Sequence, residues 1–148
     1  MKKNFLLTAS LLAALSMAAC NNNDKKAIDF GSLPSAAQSF VKTHFGDKQI
    51  SVVYHDSGIG DNEYEVLFAD GAKVEFTAKG EWDEVADRDS DGVPTAIIPQ
   101  AIASYVNSSH PNTYIVDINK ERRTYEVELN NSIEIVFDKN GNFQRYDD

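Results

Sequence analysis

The sequence predicts an α+β fold: two tandem repeats, each a helix packed on a four-stranded antiparallel meander, joined as one domain. Three observations lead there. The first is internal similarity. Tyr64-Glu65-Val66 returns as Tyr125-Glu126-Val127, and the match continues without a gap through Val74/Ile135, Phe76/Phe137, Gly80/Gly141 and Trp82/Phe143 to Asp87/Asp148. Upstream, Leu33-Pro34 with Phe40-Val41 returns as Ile98-Pro99 with Tyr105-Val106, offset by 65 rather than 61. The second observation is a pair of short amphipathic segments that open on proline, and the third is a series of period-two runs separated by turn residues.

The elements follow in order. Ser32 to Gly46 places Ala37, Phe40, Val41 and His44 on one face, with Pro34 at the start and Gly46 as a stop, so it reads as a helix. Pro99 to His110 repeats it through Ile102, Tyr105 and Val106, and ends where Pro111 pushes the preceding residue out of the helical region. The first strands are Ile50 to His55 and Tyr114 to Asn119, and the second are Tyr64 to Phe68 and Thr124 to Leu129. The third are Ala72 to Thr77 and Ile133 to Asp138, and the fourth are Trp82 to Ala86 and Phe143 to Tyr146. Turn signals at Asp70-Gly71, Lys79-Gly80, Asn130-Asn131-Ser132 and Asn140-Gly141 divide them. The spans are repeat 1 at 32–87, a linker at 88–97 and repeat 2 at 98–148. A unit of about 55 residues buries only roughly 60% of its unfolded surface, so the pair is expected to share one core.

Alternation assigns the faces. Tyr64, Val66, Phe68, Val74 and Phe76, with Tyr125, Val127, Leu129, Ile135 and Phe137, form the side expected to lie under the helices. The opposite side collects Glu65, Leu67, Lys73 and Glu75, with Glu126, Glu128, Glu134 and Val136, and reads as acidic and wet. Leu67 and Val136, apolar among acids, are expected to centre a protein-binding patch rimmed by Glu65, Glu75, Glu126 and Glu128. Trp and Tyr dominate binding hot spots, which brings in Trp82, Tyr54, Tyr114 and Tyr146. Trp82 shares its repeat position with Phe143 and is expected in the core.

The N-terminus carries an address. Lys2 and Lys3 precede an apolar run from Phe5 to Met17, and Met17-Ala18-Ala19 leads to Cys20, the only cysteine. The run is shorter than the roughly 20 residues a membrane span needs. Residues 1–19 resemble the bacterial lipoprotein signal, with Met17 where leucine is usual. That resemblance implies that Cys20 is acylated and becomes the mature N-terminus, which accounts for a lone cysteine that no disulfide can use. Residues 20–31 then read as a flexible tether with a reach of about 35 Å. The chain has 14 basic and 23 acidic residues. Removing residues 1–19 takes two lysines and no acid and leaves a charge of −11. Such a balance excludes nucleic acid and anionic lipid as surface partners, because both require a basic patch. Contact with the membrane is through the lipid anchor only, and the favoured partner is a basic envelope protein.

Leu-Pro followed by Phe-Val, then Tyr-Glu-Val, then a glycine-aromatic close, duplicated behind the signal, resembles the PepSY-like, β-lactamase-inhibitor-like family of bacterial envelope proteins over residues 33–148. The resemblance implies tandem helix-plus-sheet units and no assigned activity. Inhibitors of similar architecture grip an enzyme with the open face of the sheet, which here is the acidic face, but no inhibitory loop carries over.

Other chemistries have weaker support. Asp87-Arg88-Asp89-Ser90-Asp91-Gly92 has the spacing of a calcium loop, yet its twelfth position is Ile98 and no helix precedes it, so it reads as a polar linker. His44 and His110 close helices, where a histidine meets the negative end of the dipole, and His55 has no partner motif. No nucleophile elbow or phosphate-cradling glycine loop occurs. The expectation is a non-enzyme without metal or cofactor, lipid-anchored on the periplasmic or outer-membrane face of the cell envelope, that binds and in the strongest form inhibits another protein. The alternatives are a small-ligand carrier or sensor and a structural envelope component.

Overall fold

A computed structural model describes residues 25–58, 62–89 and 91–147. Two ten-residue helices, α1 (Ser35–His44) and α2 (Gln100–Ser109), accompany nine strands. These are β1 (Lys25–Ile28), β2 (Ile50–Asp56), β3 (Glu63–Phe68), β4 (Lys73–Thr77), β5 (Trp82–Ala86), β6 (Ile115–Lys120), β7 (Thr124–Leu129), β8 (Glu134–Asp138) and β9 (Phe143–Asp147). From β2 onward each strand lies within one residue of the span its alternation predicts.

The architecture of two tandem helix-plus-meander repeats is corrected. All nine strands form one antiparallel sheet in the order β1 to β9. The junction is made by Glu84↔Asn119, Val85↔Ile118 and Ala86↔Asp117 between β5 and β6. Similar sequences specify similar strands but do not say which edges stay free. A bare edge leaves a row of N–H and C=O groups unpaired, and joining β5 to β6 satisfies two such rows. The tether is corrected as well, because Lys25–Ile28 is a strand paired with β2 from Lys25↔Asp56 to Ile28↔Val53. Two lysines followed by Ala27 and Ile28 do not alternate, so the strand is not visible in sequence. The expected linker also enters the core: Val93 and Ile97 are buried, and the Val93 N–H donates to the Ile115 carbonyl at 2.9 Å.

One continuous row holds the sheet to the helices. Ile28, Val53, Val66, Val74, Val85, Ile118, Val127, Ile135 and Tyr146 are successive cross-strand partners from edge to edge, and all but the two end residues are buried. Above them α1 contributes Ala37 and Val41, and α2 contributes Ile102 and Val106. Phe40 meets Phe76 edge to face at 5.6 Å, and Tyr105 meets Phe137 in the same way at 5.4 Å. The turns before β5 and β9 seat the helix starts. Gly80 and Gly141 both have φ of +80°, and a Cβ on either would come within 2.8 Å of Pro34 or Ala101. Trp82, expected in the core, is half-buried against it.

Candidate functional site

The helices cover one face of the sheet, and the other is paved by two ladders of side chains. One runs Tyr54, Glu65, Glu75, Glu84, Asn119, Glu126, Val136, Arg145 across β2 to β9. The next runs Leu67, Lys73, Ala86, Asp117, Glu128, Glu134, Asp147 across β3 to β9. Like charges directly opposite each other destabilise a sheet, so the acids here need cations or water.

Part of the face is neutralised from within. Lys25 Nζ meets Glu65 at 2.9 Å. Lys73 bridges Glu75 at 2.9 Å and Glu84 at 2.6 Å. Burial works against the Lys73 ammonium, but its bonds to Glu84 and Glu75 outweigh that and raise its pKa. Arg88, from the connection after β5, grips Glu128 with both terminal nitrogens at 2.9 and 2.6 Å, and this contact draws the Glu128 pKa below its ordinary value.

The β6 to β9 end is different. A cleft of about 200 Å³ opens there, with Val136 in its lining and Glu84, Asp117, Asn119, Glu126, Glu128, Glu134 and Asp147 around it. Among the described residues no ion pair holds Glu126 or Glu134. Burial, with the Glu84 charge next to it, pushes the Asp117 carboxyl up to about 6. The lining holds no hydroxyl, thiol, imidazole or amine. Its polar chemistry is that of carboxylates and one amide.

The structure separates the residues picked out in sequence. Glu126, Glu128 and Val136 line the cleft. Glu65, Glu75 and Leu67 lie on β3 and β4, and the five strand spacings from β3 to β8 put Leu67 about 24 Å from Val136. The two therefore do not centre one patch. Leu67 is half-buried, but Val136 is 1% exposed and is a floor residue rather than a surface anchor. Its neighbours' longer side chains close over it. Glu84, Asp117 and Asn119 complete the cleft without a signal in the sequence: their place on this face depends on the pairing of β5 with β6, and the register shift between Ile115 and Asp117 interrupts the period. Cys20 lies outside the described residues.

The acidic loop after β5 is taken up by a lysine. Lys48 Nζ pairs with Asp70, with Asp87 at 3.0 Å and with Asp89 at 3.5 Å, and Asp87 is buried. Burial opposes the ammonium, yet the hydrogen bonds it donates to Asp70 and Asp87 raise the Lys48 pKa, and Lys48 in turn lowers that of Asp70. No group of three or more His, Cys, Asp or Glu is placed to hold a metal ion among the described residues. His44 packs on Phe40 at 4.6 Å, His55 stacks on Tyr64 at 4.5 Å, and His110 Nε2 lies 3.1 Å from the Tyr146 hydroxyl.

A family model described as "Putative beta-lactamase-inhibitor-like, PepSY-like" matches residues 62–145. Among solved structures, a "putative calcium-regulated periplasmic protein" from Bacteroides thetaiotaomicron is 38% identical with a TM-score of 0.82, the match covering 85% of this chain and 98% of that one. Two periplasmic proteins from Bacteroides vulgatus, each likewise described as putative, are similar to it. One has 38% identity, a TM-score of 0.80 and coverage of 85% and 98%. The other, described as of unknown function, has 32%, 0.78, and 84% and 99%. No curated protein sequence matches.

Proposed function

We propose, for a chain that belongs to the PepSY-like, β-lactamase-inhibitor-like family, a non-catalytic role in the periplasm: it binds a basic segment of another envelope protein through the outer face of its sheet. The observation that carries this reading is the cleft around Val136, where Glu126 and Glu134 have no ion-pair partner among the described residues and Asp117 is half-buried among acids. A lysine or arginine from a partner would relieve all three at once, and its approach would be steered by the net negative charge. The periplasmic descriptions of the solved relatives support the location. Acylation of Cys20 would hold the domain at a membrane surface, and inhibition of the bound protein is the strongest form of the reading. Among the described residues no helix is long and apolar enough to cross a membrane.

The test is capture from a detergent extract of the cell envelope on immobilised residues 21–148, with release by salt and identification by mass spectrometry. The expected result is one stoichiometric partner that the Glu126→Lys/Glu134→Lys variant no longer retains. A partner that the variant still holds, or a clean blank with a folded bait, would overturn the reading.

A further inference from the structure

The two edges of the sheet are not equivalent. The β1 edge carries Lys25 and Lys26, charges of the kind that discourage strand addition. All five residues of β9 are exposed, including Phe143 at 37% and Tyr146 at 47%. No strand pairs with its outer edge among the described residues.

The same molecule shows what such an edge accepts. β5 and β9 are built alike. Each follows a glycine with φ of +80°, and each sets its first aromatic opposite a buried phenylalanine, Trp82↔Phe76 and Phe143↔Phe137, after a register shift. Each lays that ring near an aromatic of the helix above, Phe40 at 6.3 Å and Tyr105 at 5.0 Å. The outer edge of β5 is covered by β6, with Ile118 opposite Val85 on the helix face and polar Asn119 opposite Glu84 on the other. A strand completing β9 in the same way needs an apolar or aromatic residue opposite Tyr146. It also needs opposite charges against Arg145 and Asp147, which share the outer face and meet each other only at 3.4 Å while largely exposed. Read antiparallel, β9 meets both requirements itself.

We propose that β9 pairs antiparallel with β9 of a second copy about Tyr146, so that Arg145 of each chain faces Asp147 of the other and the two sheets become one. The twofold closes the assembly, leaving the lysine-bearing β1 strands as its edges among the described residues. Tyr146 meets its own counterpart on the helix face, in the role that Ile118 plays beside Val85. The reading rests on the β9 edge and needs no ligand in the acidic cleft, which Asp147 also borders. Centred on Tyr146, the pairing sets residues 145–147 of each β9 against one another, a small interface, so the dimer is weak and concentration-dependent.

Sedimentation velocity on residues 21–148 tests it; the solved relatives are matched over 98–99% of their own length by 84–85% of this chain, so a domain of this size folds by itself. From about 10 μM to about 1 mM, the range in which a contact of this size dissociates, a monomer–dimer equilibrium is expected. Arg145→Asp sets acids against acids and should weaken it at least about tenfold. Arg145→Asp/Asp147→Arg restores the complementarity with exchanged signs and should restore the dimer. Both positions are exposed, and circular dichroism confirms the fold of each variant. A wild type that stays monomeric throughout would overturn the proposal, as would a dimer indifferent to Arg145→Asp or a double variant that fails to recover.

Discussion

Lys48, the ammonium shared by Asp70, Asp87 and Asp89, meets Asp87 at 3.0 Å with the Asp87 side chain almost wholly buried. The ammonium neutralises two carboxylates of the acidic loop, Asp87 and Asp89. Lys48→Met should leave a buried carboxylate uncompensated and cost about 2–3 kcal/mol, below the usual figure for a broken buried pair because the lysine is partly exposed. Thermal unfolding checks this.

The same contact bears on calcium. Millimolar calcium is expected to leave the melting temperature of the wild-type domain unchanged, because Asp70, Asp87 and Asp89 are already engaged. A rise of several degrees would mean that the ion displaces the ammonium, and would extend to this chain the calcium regulation in its relative's description.

Asp117 should make the domain more stable as pH falls through weak acidity. Its carboxyl titrates at about 6 in the folded protein against an ordinary 3.8. Between those values the folded state holds more protons than the unfolded chain, so this contribution to stability declines as pH rises from about 4 to about 6 and is level above that. Asp117→Asn should therefore raise the melting temperature above pH 6, with the advantage over wild type closing as pH approaches 4. Parallel melts of both proteins across that range would show a constant gap if Asp117 were not responsible.

Val136 and Leu67 should answer differently to the same change. Val136→Lys places an ammonium at a position that is 1% exposed and is expected to cost at least about 3 kcal/mol. Leu67→Lys can extend its stem along the sheet with its charge in water, within about 1 kcal/mol of wild type. Equal losses in urea denaturation would reverse the assignment of Val136 to the cleft floor.

Gly141→Ala combines a left-handed backbone with a Cβ driven to 2.8 Å from Ala101. A loss of about 2 kcal/mol is expected, read as a fall of about 4–8 °C in melting temperature. A neutral result would mean that α2 shifts away from the turn without penalty.

The strands were legible because period-two alternation is a local property: Tyr64-Glu65-Val66 specifies its faces wherever it sits. The pairing of β5 with β6 was not, because it depends on what each edge meets in space. Val136 was legible as outward-facing, and the ladder Glu126↔Val136↔Arg145 agrees. Its burial was not, since that depends on long side chains from neighbouring strands closing over a short one. The lysine in the acidic loop comes from residue 48, some 40 positions from Asp87, beyond any local motif. The charge of the face came from composition and alternation together, but its division into a neutralised part and an open part required Lys73 and Arg88 to be placed.

The order β1 to β9 also determines how the chain can reach its native state. Every strand finds its partner in the segment just before or just after it, and only the two crossings through a helix, from β1 through α1 to β2 and from β5 through α2 to β6, close long loops. Contacts of such short range carry a small entropic barrier and favour rapid folding. A chain delivered N-terminus first could add strands to a growing template as each emerges, with the β6 to β9 half, and the cleft it carries, the last part to form.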